Sequence, residues 1–374
     1  MYLNPNYGQS KDKSLLCKFY NSSKGCFYGN KCKYIHETIS EIKKTFSKDY
    51  HEKIKCKYWE NGNCFYGNSC KFFHDLNLRN NNIKVDFKLL KTYNADNYWI
   101  NLVKTFPLGN FLIISDDKSI KIFDINFNII QNIKNAHKKV IIYTEIKDEN
   151  NFVTCSDKSI KTWIKINNKF KINKYINNAH KEQINKVIYY SNLKLISCSN
   201  DNKIKIWEEI NNKFQLIITL LQQDNVNSIL LIEDKNKFIS SGKEGTKIWN
   251  ITNLELIKHF NDIKCYDSNG LCKIDKDKFI INEYKLLIVI SLTKEKIIKS
   301  IINLFKCTAI HAIEKKGIFI IGRLSNDITI YRNDNFECIL TIQDAHFNTI
   351  NGFIDINDDF VVSFTNLTIK IWSL

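Results

Sequence analysis

Eight residues near the N-terminus have the type and spacing to hold metal. Cys17, Cys26, Cys32 and His36 are spaced C-x8-C-x5-C-x3-H, and Cys56, Cys64, Cys70 and His74 are spaced C-x7-C-x5-C-x3-H. Three thiolates and one imidazole make a closed tetrahedral set for zinc, with no position left for water or substrate. Such a site folds a peptide and does not catalyse. The pattern occurs twice, and the intervening residues repeat with it, GCFYGNKCKYIH against NCFYGNSCKFFH. The spacing therefore predicts two zinc ions. A disulfide framework is the weaker rival, because the opening MYLNPNYGQSKDK has no apolar signal region and points to an intracellular chain.

The rest of the composition narrows the class. The chain has 374 residues and a formal charge of +16. No apolar run approaches the ~18–20 residues that would span a bilayer; LLIVISL at 286–292 has strand length. Excess positive charge suits an anionic partner. Only three of the 55 basic residues are arginine, however, and a lysine surfeit of this kind is what an AT-rich coding sequence produces. Charge is denser at the front, where residues 1–82 hold 14 Lys and Arg against 7 Asp and Glu. Basic runs such as Lys43-Lys44 and Lys138-Lys139 are too short to read as a nuclear import signal. There is no phosphate-binding glycine loop, no nucleophile elbow and no RING-type cysteine set, so a non-enzymatic role is expected.

From about residue 83 the texture changes to short β-branched strands. A phrase recurs as SIKIFDI, SIKTWIKI, KIKIWEEI, TKIWNI, ITIYR and TIKIWSL. Its aromatic anchors are Phe123, Trp163, Trp207, Trp249, Tyr331 and Trp372, and a degenerate copy, LLIVISL, is centred on Val289. The seven anchors lie 40, 44, 42, 40, 42 and 41 residues apart, a period that implies one propeller blade per unit. Ala-His at 136–137, 179–180 and 345–346 precedes an anchor by 26 or 27 residues, and Asp117, Asp157 and Asp201 precede one by six.

These landmarks resemble the WD-repeat family, whose blades carry a hydrogen-bonded relay of His, Ser or Thr, Asp and Trp. His180, Ser197, Asp201 and Trp207 match it fully. His137, Thr154, Asp157 and Trp163 form a second set whose turn is one residue shorter. The resemblance makes these histidines structural. The indole N–H needs a partner once buried, and polar groups satisfied in series are stiff. Because the chain stops just after the last anchor, the final blade lacks an outer strand. Residues 83–91, IKVDFKLLK, are the expected donor.

The front of the chain resembles the CCCH zinc-finger family, which binds single-stranded RNA. The resemblance implies base stacking by Tyr28, Tyr34, Tyr66 and Phe72, and phosphate contacts from Lys18, Lys31, Lys33, Lys57 and Lys71. The lysine-threonine-glutamate-leucine leader of AU-rich-element readers is replaced here by KDKSLL and HEKIK, and both fingers lack arginine.

The expected layout is a disordered tail over 1–10, a finger over 11–37, a linker over 38–55, a finger over 56–76, a short linker over 77–82 and an all-β, seven-bladed propeller over 83–374. In the first linker Ile39, Ile42, Phe46 and Tyr50 fall at helical spacing, which suits either a docked helix or a plain tether. The reading is a monomeric, zinc-dependent RNA-binding adaptor. Its fingers hold RNA, its propeller recruits protein partners, and it takes neither membrane nor small-molecule substrate. The alternative is a protein-interaction scaffold whose fingers also bind protein, for instance a ubiquitin-ligase substrate receptor.

Overall fold

The computed structural model describes residues 87–94, 98–232, 234, 236–283, 285–302, 306–357 and 359–374. Both Cys/His sets, the aromatic and lysine residues between them, and the linkers at 38–55 and 77–82 lie outside the described residues, as do residues 1–10. The chain divides into two units after Asn82, and all the described residues belong to the second.

Among the described residues, 28 strands form seven antiparallel sheets of four. The innermost strands, in blade order, are Ile100–Thr105, Tyr143–Asp148, Ile184–Ser191, Val226–Ile232, Leu271–Lys273, Cys307–Ile313 and Gly352–Asn357. Each inner strand touches the next, and that of blade 7 touches that of blade 1, so the sheets close a ring. Burial follows position within a blade. In blade 3 the second strand, Lys194–Ser199, is buried along nearly its whole length, while the outer strand, Lys213–Leu221, is mostly exposed. A middle strand is sandwiched between neighbouring blades and is apolar on both faces. The outer one has solvent to satisfy.

The third strand and the outer strand pair with one irregularity in every blade. An extra outer-strand residue opposes the step into the anchor, as between Ile206 and Trp207, Ile122 and Phe123, Thr162 and Trp163, Ile248 and Trp249, and Ile330 and Tyr331. The same bulge lies opposite Trp372 in blade 7. In blade 5 it falls between Val289 and Ile290, so the anchor there is Ile290, one residue beyond the expected Val289. Cross-strand pairing agrees, since Phe279 faces Ile290 as Phe238 faces Trp249. An aliphatic run offers no ring to mark the position.

Blade 7 is completed by Lys88–Asn94, which pairs antiparallel with Thr368–Ser373. The strand begins five residues later than the start of the expected 83–91 segment and ends three residues later. Phe87 stacks on Trp372 with centroids 5.1 Å apart, and Ser373 Oγ donates to the Lys88 carbonyl at 3.4 Å. First and last strands thereby share a sheet whose edge would otherwise be open.

Candidate functional site

Blade 3 contains a complete polar chain. The Trp207 indole N–H donates to Ser197 Oγ at 2.9 Å, and Ser197 Oγ lies 2.8 Å from His180 Nε2. His180 Nδ1 sits 3.0 Å from Asp201 Oδ1. Asp201 also accepts the Lys181 backbone N–H at 2.9 Å. Burial pushes the His180 imidazole down to about 4, against the opposing pull of Asp201, so the ring is neutral near pH 7.

Blade 2 repeats the inner half. Thr154 Oγ1 receives the Trp163 N–H at 2.8 Å and lies 2.7 Å from His137 Nε2. Asp157 does not reach the ring. Ser159 Oγ takes its place, 3.4 Å from His137 Nδ1. The hairpin from Ser156 to Ser159 is tight, with Asp157 at φ 48, and this directs its side chain elsewhere. Blade 7 holds a third set. Ser363 Oγ accepts from Trp372 at 2.7 Å and lies 2.6 Å from His346 Nε2, with Thr368 Oγ1 3.0 Å from Nδ1. Burial lowers both His137 and His346 to about 3. In blade 4 Trp249 donates to Ser240 at 2.8 Å.

Two recurring contacts lie outside the relays. The lysine two residues before the anchor donates to the alanine carbonyl of each Ala-His pair: Lys161 to Ala136 at 2.6 Å, Lys205 to Ala179 at 2.5 Å and Lys370 to Ala345 at 2.6 Å. The repeated Lys-x-Trp that accompanies Ala-His is the sequence signal for this contact. The second contact joins neighbouring blades. Asn185 Nδ2 donates to the Val226 carbonyl at 2.9 Å, and Asn227 Nδ2 to the Cys265 carbonyl at 2.8 Å. Both residues sit at bulges near the start of an inner strand, where an extra residue is left free to reach sideways.

The relay histidines, the indoles and the hydroxyls that accept from them are buried. Four cysteines, Cys155, Cys198, Cys265 and Cys307, are likewise buried, which raises the last three to about 12 and Cys155 further still. Such thiols stay protonated and unreactive. Among the described residues no cluster of His, Cys, Asp and Glu could hold a metal ion, and no helix is long and apolar enough to cross a membrane.

The exposed surface is more telling. Strand direction alternates, so the loops entering each inner strand and the hairpins between second and third strands share one end of the propeller. The exposed aromatic residues among those described are Tyr98, Trp99, Tyr175, Tyr266 and Phe347. Four lie in the entry loops, and Tyr175 is the penultimate residue of an outer strand running to that same end. Phe347 is 93% exposed and Trp99 58%. Exposed Leu324 and Leu367 occupy two of the hairpins. The Ile100 N–H bonds to the Asn366 carbonyl at 2.8 Å, and Asn326 Nδ2 to the Phe347 carbonyl at 3.4 Å. These bonds place Leu367 beside Trp99, and Leu324 near Phe347, in one sector over blades 6, 7 and 1.

The ring encloses a central cavity of ≈1130 Å³. Lys104, Tyr143, Glu145 and Lys186 line it from blades 1 to 3. Lys104 Nζ pairs with Glu145 Oε2 at 3.4 Å, and the Tyr143 hydroxyl donates to the same oxygen at 3.0 Å. Farther along, Lys273 meets Asp234 and Glu314 at 3.5 and 3.4 Å. His311 Nε2 lies 2.8 Å from Asp355 Oδ1.

No curated protein matches the chain. Residues 172–208 match the family model described as WD domain, G-beta repeat, a window that contains His180, Ser197, Asp201 and Trp207 together.

Proposed function

We propose that the propeller is a protein-interaction scaffold and that its docking face is the end carrying Tyr98, Trp99, Tyr266 and Phe347. The convergence of exposed aromatics on one end is the observation that carries this reading. Aromatic residues supply large contact area at little conformational cost and are enriched where proteins meet. The outer strands also expose apolar groups, including Ile130 and Leu221, and these are mostly aliphatic. The family match supports the same reading.

The test compares two variants by quantitative affinity purification. Replacing Trp99 and Phe347 with Ser should remove a defined set of partners while the fold is unchanged. Replacing Ile130 and Leu221 with Ser should leave that set intact. Equal loss from both, or from neither, contradicts the assignment of the face.

A second activity is proposed for the first unit on its residue pattern alone. The two Cys/His sets hold two zinc ions, and the rings and lysines between them grip single-stranded RNA. Replacing Tyr66 and Phe72 with Ala should weaken RNA binding by ~2–5 kcal/mol without loss of zinc. Zinc retention with no RNA affinity at physiological salt leaves the protein-scaffold reading alone.

A further inference from the structure

Lys186 stands out in the channel wall. It is only 5% exposed, yet no carboxylate lies within ion-pair distance and it donates no hydrogen bond among the described residues. Its ammonium rests over the Tyr143 ring, 5.1 Å from the centroid. Its side chain lines the channel, and burial lowers the proton affinity of the ammonium. The nearest anionic side chain of the cluster, Glu145, is already engaged by Lys104 and by the Tyr143 hydroxyl. Lys104, Glu145 and Lys186 together carry one surplus positive charge.

Lys186 lines the central cavity together with Ala309 and Gly352. Lys186 pairs with Cys198 at the start of its strand. The residues at the corresponding register of blades 4 to 7 are Ser228, Gly270, Ala309 and Gly352, all small. Lys186 is the third residue of its inner strand, and that strand starts at the aromatic end. The Lys186 backbone therefore lies near the aromatic end of the channel.

The geometry points to a carboxylate-binding subsite at Lys186, filled by an acidic side chain or terminal carboxylate of the protein that docks on the aromatic face. A single surplus charge beside Glu145 suits a monoanion and disfavours a phosphate, whose second charge would face that carboxylate. The absence of arginine from the cluster removes the fork that phosphate recognition commonly uses. The inference rests on the docking reading for the source of the carboxylate, and on the channel alone for its chemistry.

The test uses the full chain with propionate, inorganic phosphate, and a short acetylated Gly-Ser-Glu-Ser-Gly amide with its Gln counterpart, all at matched ionic strength. A ligand that binds only the folded state raises the melting temperature. Propionate and the Glu peptide should each give a saturable rise of about 2 °C. Phosphate and the Gln peptide should give less than half of that. Lys186→Met keeps the apolar stem and should abolish the response, with unchanged circular dichroism; Lys186→Gln serves if the first variant folds poorly. No saturable rise in the parent protein, or an equal rise in the variants, overturns the subsite. A rise with propionate but none with the Glu peptide overturns the peptide as its source. The Trp99→Ser/Phe347→Ser variant should keep the propionate response, so failure of the docking face and failure of the subsite are distinguishable.

Discussion

Ser197 is the residue on which blade 3 turns, since it accepts from Trp207 and contacts His180. Replacing it with Ala strands two buried polar groups and should cost about 2–4 kcal/mol by urea unfolding. Ser240→Ala in blade 4 strands only the Trp249 indole and should cost roughly half as much. The relay histidines add a pH dependence. Their folded values, about 4 for His180 and about 3 for His346, lie below the ordinary 6.5. The unfolded chain therefore takes up protons that the folded chain refuses. Stability should be full above about pH 6.5 and should fall as the pH drops through 6 and 5 towards those folded values. His346→Gln should flatten the decline in urea midpoint between pH 7 and 4.5; an unchanged slope would contradict it. The His180, Ser197, Asp201 and Trp207 constellation is legible in the sequence because each residue type is needed at its spacing. Asp157 departs from its expected role because a hairpin one residue shorter redirects its side chain and lets Ser159 contact the ring. In the third set, at His346, Asn366 holds the acidic position, and the ring's Nδ1 partner is instead Thr368, four residues before the anchor as Ser159 is in blade 2.

The critical element is Lys88–Asn94. It is nearly all exposed, so no buried face fixes its register and no alternation in the sequence reports it. The expected 83–91 segment has the right composition, but the strand's limits follow from Phe87 on Trp372 and the bulge at Leu89–Lys91. Ile290 shows the same limit: the bulge identifies it, whereas the aliphatic run does not. The middle strands are legible because burial between blades demands long apolar runs. A chain beginning at residue 98 should lose the closing strand, expose the edge of Thr368–Ser373, and melt about 10 °C or more lower, or self-associate. A peptide spanning 84–97 should restore it in trans. A truncated chain that stays monomeric with unchanged melting would show that the ring does not depend on this strand.

For the whole molecule, we propose that metal belongs to the first unit and β-structure to the second. On that proposal zinc would supply the folding energy of modules as small as 11–37 and 56–76, whereas the propeller has its own core. Chelation with EDTA should therefore release about two zinc ions per chain and leave the β-rich signal intact. Loss of β signal, or a content near one, would contradict that division. The period of the repeats makes the propeller legible from its sequence, because every blade must bury the same strands against its neighbours. The proposed docking face is not legible there. Tyr98, Trp99, Tyr266 and Phe347 lie far apart in the chain, and only ring closure gathers them at one end.

The most direct test of the scaffold reading is crosslinking in cells from a photoreactive residue at position 347, with position 130 on an outer strand as control. Discrete protein adducts are expected from 347 that disappear when Trp99 is replaced with Ser, and few from 130. Adducts equal at both positions, or adducts from 347 that are RNA alone, would contradict it.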